Sequence, residues 1–349
     1  MSARIRLLAL VILAMLALRS GPPAEAQAPA PAKPEAAPAA TSPAPTSKPE
    51  AAPAPKPTVI PAKRFVSAED ATEALVTALR AGDTKTVVGV LGSSARTLIS
   101  SGDAVSDRQT REKFLQAYDA AHRLIPYGSR TVLEVGSDNW PFPIPIVKTR
   151  DERWYFDTRQ GRDEILARRI GRNELFTMQT CLAYVDAQRE YYAEDRNGDG
   201  VLQYARQFAS TPGKRDGLYW PTGPGEPPSP LGDLVVRARA EGYRRDASGG
   251  PTAFHGYLYR ILTAQGPAAP DGAYDYIVAG RMIGGFALVA FPAQYGASGV
   301  MTFIVNHDGV VHEKDLGPKT RDLARAMKKF DPDSTWKKAE VVEVAATED

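Results

Sequence analysis

The residues best suited to chemistry begin at Asp195-Arg196-Asn197-Gly198-Asp199-Gly200, where oxygen-bearing side chains alternate and a glycine permits a sharp bend. Asp195, Asn197, Asp199 and Gly200 match positions 1, 3, 5 and 6 of a calcium loop, and Gln203 at position 9 could act through a water. Position 12, where a bidentate Glu closes an ordinary EF-hand, is Arg206, so a carboxylate from elsewhere, such as Asp216, would have to complete the site. The same residues suit an Asx turn leaving a helix, and the spacing leaves both readings open. Calcium is the one cofactor this spacing suggests.

A second candidate is Phe254-His255-Gly256-Tyr257-Leu258-Tyr259-Arg260. Strand alternation would put His255, Tyr257 and Tyr259 on one face. With Arg260 or Arg281 nearby, that face could bind a polar or carbohydrate-like ligand. It could equally be an aromatic face packed against a helix, with His255 hydrogen-bonded in place. His255 with a carboxylate such as Asp275 is also the pair a hydrolase would use as a base. His307 lies among the turn-formers Asn306, Asp308 and Gly309, with His312 on the return strand. No nucleophile elbow, HExxH zinc motif, Walker loop or dinucleotide fingerprint is present, and no residue is assigned a catalytic role.

The N-terminal residues set the compartment. Arg4 and Arg6, the apolar run Leu7 to Leu18 and the triplet Ala24-Glu25-Ala26 follow the order of a cleavable export signal. Twelve apolar residues fall short of the roughly 20 that span a bilayer, so no permanent span is expected after cleavage. Without Arg4, Arg6, Arg19 and Glu25 the chain holds 40 basic and 40 acidic residues, a balance with no cationic surplus to argue for a nucleic-acid or an anionic-lipid partner. The basic cluster Arg168, Arg169 and Arg172 reads as a helix C-terminus complementing its dipole. Cys181 is the sole cysteine; a chain with one thiol cannot staple itself, and this one reads as a buried thiol on the apolar side of a helix.

The expected organisation is a signal peptide (1–26), a disordered Pro/Ala-rich linker (27–63), an N-terminal helix/meander domain (64–172), an α+β domain (173–336) and a charged tail (337–349). Ser67 with Asp70 predicts a helix cap and Gly82 a stop; a second helix spans Thr84 to Leu91, and Asp107 is positioned to cap a third. Strands are expected at 130–135, 142–148 and 153–157, then a helix over 174–194 and another over 231–241. Further strands are expected at 254–263, 283–291, 299–306 and 310–314, with a polar helix over 320–330. Ser100-Ser101-Gly102-Asp103 reads as a loop.

Several strings carry a family resemblance: Trp140-Pro-Phe-Pro-Ile-Pro, Arg169-Ile-Gly-Arg-Asn-Glu-Leu175, Ala183-Tyr-Val-Asp-Ala-Gln-Arg-Glu-Tyr191, Thr211-Pro-Gly-Lys-Arg-Asp-Gly-Leu-Tyr-Trp220 and Met301-Thr-Phe-Ile-Val-Asn-His-Asp-Gly309. Over Phe65 to Trp336 the chain resembles the bacterial exported proteins of domain-of-unknown-function family 2950, which offers no activity or catalytic residue to carry over. The C-terminal half is similar in pattern to the globular part of pilin-like and pseudopilin-like proteins, which implies one helix across an antiparallel sheet. The first half is similar to the cone-shaped nuclear-transport-factor-two-like folds.

The expected fold class is therefore α+β: N-terminal helices with a small antiparallel meander, then a pilin-like long helix packed on an antiparallel sheet. The expected function is that of an exported, noncatalytic envelope protein, periplasmic or secreted, binding an envelope protein or a small polar ligand. The alternative is an extracytoplasmic hydrolase using His255.

Overall fold

The computed structural model describes residues 59–244 and 251–341. The expected signal peptide, most of the Pro/Ala-rich stretch and residues 342–349 of the charged tail lie outside the described residues.

The first helices begin and end where local chemistry directs. In α1 (Ala68–Ala81) the Ser67 side chain accepts from the Asp70 amide, and Gly82 takes the left-handed conformation that ends the helix. Asp83 caps α2 (Thr84–Leu91). A short α3 (Arg96–Ile99) leads to α4 (Ala104–Ala120), which is capped by Asp103. The expected cap, Asp107, lies inside the helix and accepts the Ser101 amide at 2.9 Å.

Five strands follow: β1 (His122–Tyr127), β2 (Arg130–Val135), β3 (Trp140–Pro141), β4 (Ile146–Lys148) and β5 (Trp154–Phe156). They form an antiparallel sheet of order β1-β2-β4-β5, with β3 also on β2. Pro141, Pro143 and Pro145 restrict the middle segment to two short strands, β3 and β4, as a chain lacking three amide donors must be. β1 goes beyond the expected strands; it carries Pro126 and lies at the sheet edge, where a missing donor is tolerated.

A single helix, α5 (Thr158–Tyr192), then runs for 35 residues. The expected helix began only at Glu174, because Gly161, Gly171 and the arginine cluster weaken the local signal, which packing overrides. Its early part packs Ile165 on a core of Phe65, Leu75, Ile144 and Phe156, and its later part contributes Met178, Cys181, Tyr184 and Tyr191 to a second, larger core. The boundary expected between 172 and 173 falls inside this continuous helix. Arg168, Arg169 and Arg172 are therefore mid-helix. Buried Arg169 donates to the carbonyls of Thr97 and Leu98, so it complements the end of α3 rather than of its own helix.

The larger core is completed by α6 (Gly232–Ala240), β6 (Tyr257–Leu262), β7 (Ala264–Gln265), β8 (Tyr274–Asp275), β9 (Ile277–Val278), β10 (Arg281–Met282), β11 (Ala287–Pro292), β12 (Met301–Asn306), β13 (His312–Asp315), α7 (Thr320–Ala326), β14 (Lys329–Phe330) and β15 (Lys337–Lys338). The main sheet is antiparallel, of order β15-β13-β12-β11-β6.

Register assigns its two faces. Directly opposed residues share a face, so Tyr259, Ala290, Phe303, Glu313 and Lys337 form one cross-strand row and Arg260, Val289, Ile304, His312 and Lys338 the other. Tyr259 bonds Thr177 of α5 at 3.3 Å, so the first row faces that helix. Arg260 donates to the carbonyls of Ala324 and Met327, and His312 meets Phe330 edge-on, so α7 and β14 cover the second. The fold is α+β, with a long helix across an antiparallel sheet and a second layer on the sheet's other face.

Candidate functional site

His255 does not share the tyrosine face. Phe254 and Tyr257 exchange backbone hydrogen bonds of 2.8 and 3.1 Å around His255 and Gly256, whose φ angles are +47° and +80°. Two positive-φ residues between paired neighbours make a tight turn with the twist of a primed hairpin turn, and strand alternation begins only at Tyr257. The imidazole is thereby turned away from the sheet and lies against Phe176, ring centroids 3.6 Å apart.

Around it the two cores meet. His255 Nε2 is 2.9 Å from Glu241 Oε2 at the end of α6, a contact that becomes an ion pair only when the imidazole takes up a proton. The His255 amide donates to the Tyr243 hydroxyl at 3.2 Å, which donates to Asp103 Oδ2 at 3.0 Å. The Gly256 amide donates to the same oxygen at 2.8 Å, while Asp103 Oδ1 receives the amides of Val105 and Ser106. Gln109 of α4 reaches the Glu241 carbonyl at 2.6 Å. Asp103, only 2% exposed, thus caps α4 with one oxygen and holds the His255 turn with the other. Burial, with the Asp103 charge beside it, pushes the Tyr243 hydroxyl well above the usual phenol range.

Asp103, Glu241 and Tyr243 were not among the residues marked out by spacing. Asp103 sits in a run of small polar residues that reads as a loop, and its second partner lies 153 positions away. A cap residue at the start of an amphipathic segment is the signal that points to it.

The expected partner of His255, Asp275, is instead on β8, paired with Ala264. Tyr257 and Tyr259 do share a face, and that face is inside. The Tyr257 hydroxyl donates to the Met301 carbonyl at 2.9 Å, and burial raises both phenols above their usual range. Arg260 points to the opposite face. Burial of the large tyrosine rings decides this arrangement, so His255, Tyr257, Tyr259 and Arg260 do not share a face: the two tyrosines belong to a packed layer, His255 to the turn before it and Arg260 to the opposite side of the sheet. Cys181 is fully buried and its thiol is pushed up to about 12, consistent with an inert core position.

Arg281 joins the other candidate. Its Nε lies 2.8 Å from Asp199 Oδ2, and the guanidinium lowers that carboxyl's pKa. Asp195 accepts the amides of Gly198 and Gly200 at 2.9 and 2.8 Å, and Asn197 bonds Asp199 at 3.1 Å. Gln203 lies beyond the loop, and Asp216 is held by Thr211 and Gln207. The segment forms a set of Asx turns, and Arg281 pairs with one of its carboxylates, Asp199. Among the described residues no group of three or more His, Cys, Asp or Glu side chains is placed to hold a metal.

The imidazole charge has a pH consequence. Burial lowers the His255 pKa below 6.5; Glu241 and Asp103 oppose that shift and Arg172 assists it. The His312 pKa is lowered in the same sense by burial. A histidine held neutral in the fold binds a proton more readily when unfolded, so its stabilising contribution is full above about pH 6.5 and declines as pH falls. Urea unfolding at pH 7.5, 6.5 and 5.5 is expected to show falling stability, with a shallower fall in His255→Gln.

Two shallow grooves lie elsewhere. One, of 470 Å³, runs over α1 and α2 past Asp70, Glu73 and Ala78, and the other, of 420 Å³, lies between Asn306, Asp308, His312 and Phe330. Neither includes His255 or the Asp195 loop among its lining residues.

A family model described as a protein of unknown function, DUF2950, matches residues 62–339. No curated protein and no solved structure matches the chain.

Proposed function

We propose that this chain, which belongs to the DUF2950 family, is an exported bacterial envelope protein that acts by binding a partner or a small polar ligand and not by catalysis. The observation that supports this reading is the engagement of Asp103. The hydrogen bonds of its carboxylate go to Tyr243, Gly256, Val105 and Ser106, so the carboxylate that holds the His255 turn serves as an internal tie. The hydroxyls of Tyr257 and Tyr259 are committed in the same way, which leaves recognition to the outer surface. Among the described residues no helix is long and apolar enough to cross a membrane.

Fractionation of cells expressing the full chain, followed by crosslinking and terminal sequencing, tests the reading. The expected result is a product beginning at Gln27, recovered outside the cytoplasm with a reproducible crosslinked partner. A cytoplasmic product retaining Met1 would overturn export. An ester-, peptide- or glycoside-hydrolysing activity of the purified protein that disappears in both His255→Ala and Glu241→Gln, with the fold intact, would replace binding by catalysis.

A further inference from the structure

The near-neutral chain is not neutral everywhere. Between Lys319 and Lys338 it carries seven basic and three acidic side chains. All seven basic ones are exposed; Lys337 lies in the row that faces α5, and the other six are Lys319, Arg321, Arg325, Lys328, Lys329 and Lys338. None of the six forms an ion pair with an acidic side chain of the described residues.

The fold gathers them. α7 lies on the Arg260 face of the main sheet, and β14 follows it directly. Phe330 of β14 contacts His312, whose cross-strand neighbour is Lys338 on the same face. Lys329 and Lys338 therefore flank one aromatic contact, and the remaining four lie on or beside α7. The acids nearby are fewer: Asp331 accepts the Ala268 amide at 2.8 Å, Asp333 accepts the Thr335 amide at 2.9 Å, and Asp322 stands exposed on α7. Exposed Asp275, two strands from Lys329, and exposed Glu340, beside Lys338, lie at the edge. Leu323, on the same helix, is 49% exposed.

We infer that this face docks peripherally on an anionic phospholipid surface. The inference rests on the envelope location proposed above and names the partner. Four of the six cations are lysines, compact point charges, and they are spread over a helix and two strands instead of ringing a pocket. That distribution matches a diffuse negative sheet, against which each cation within a Debye length adds roughly a fivefold gain in partition. An exposed leucine among cations is suited to the headgroup boundary.

Flotation of the purified chain beginning at Gln27 tests this, with phosphatidylglycerol-containing vesicles against pure phosphatidylcholine ones. At about 0.1 M salt it is expected to float with the anionic vesicles only, and to be released at about 0.5 M as screening shortens the field. Combined Arg321→Glu, Arg325→Glu, Lys328→Glu and Lys329→Glu should lower partition by about a hundredfold or more. Lys113→Glu with Arg159→Glu, on the smaller-core side, should leave it within about twofold. Should the fourfold variant fail to fold by circular dichroism, Arg321→Gln with Arg325→Gln carries the test, with an expected loss of about tenfold or more.

Equal flotation with both vesicle types, no flotation, or an unchanged partition in the variants overturns the inference. Abolition by inorganic phosphate, at matched ionic strength, would assign the face to a small phosphate ligand and also overturn it. A chain recovered outside the cytoplasm that fails to float sinks this inference alone, whereas a cytoplasmic product sinks the reading on which it rests.

Discussion

Replacing Asp103 by alanine is expected to cost about 3–7 kcal/mol in urea unfolding, among the largest effects of any single change to a polar residue here. The substitution removes the cap of α4, which accounts for about 1 kcal/mol. It also strands the Tyr243 hydroxyl and the Gly256 amide in a buried site, at about 1–3 kcal/mol for each unmet donor. Asp103→Asn is expected to lose about 1 kcal/mol less, because the retained carbonyl oxygen can still cap the helix while the amide group cannot accept from Tyr243 and Gly256. Equal losses for the two variants would show that shape or charge, and not hydrogen-bond accounting, governs the junction. If Asp103 serves only the helix cap, the alanine loss will not exceed about 2 kcal/mol.

That prediction depends on contacts the linear sequence conceals, whereas other parts of the fold were open to reading. Ser67, Gly82 and Asp83 act within three or four positions of themselves, so α1 and α2 emerge with the expected limits. The Asp308-Gly309 turn between β12 and β13 is likewise local chemistry. The α+β class followed from the change of periodicity along the chain. Misplaced elements are those decided at a distance. The first half of α5 carries Gly161, Gly171 and few apolar residues, yet it is helical because Arg169 and Ile165 have partners in the smaller core. The 320–330 segment was expected to be one helix, but Phe330 is drawn into β14 beside β7, so α7 stops at Ala326.

The candidate sites divide the same way. His255 was singled out, but its alternation with Tyr257 was misjudged, because His-Gly in a two-residue turn resembles strand pattern when glycine is counted merely as small. Glu241 and Tyr243, which give that histidine its surroundings, come from α6 and the residues just after it. Asp199 and Arg281 stand 82 positions apart, so the spacing that suggests a calcium loop contains no hint that Arg281 pairs with one of its carboxylates.

The two glycines of α5 separate local preference from packing most sharply. Helix propensity alone predicts that alanine at either position stabilises by about 1 kcal/mol. At Gly171 a Cβ meets nothing within 4 Å, and Gly171→Ala is expected to realise that gain. At Gly161 a Cβ would lie 2.3 Å from the Pro143 carbonyl oxygen and 2.8 Å from the Ile144 nitrogen, both backbone atoms. Neither can rotate aside. Pro143 and Pro145 stiffen that segment, Ile144 is buried in the smaller core, and the Asp157 amide ties the helix start to the Pro145 carbonyl. Relief requires α5 to lift from the proline segment, and the overpacking outweighs the propensity, so Gly161→Ala is expected to lose about 2–3 kcal/mol net. Thermal unfolding of the two variants in parallel should therefore move in opposite directions. Stabilisation by both would mean that α5 does not approach the proline segment closely beside the smaller core.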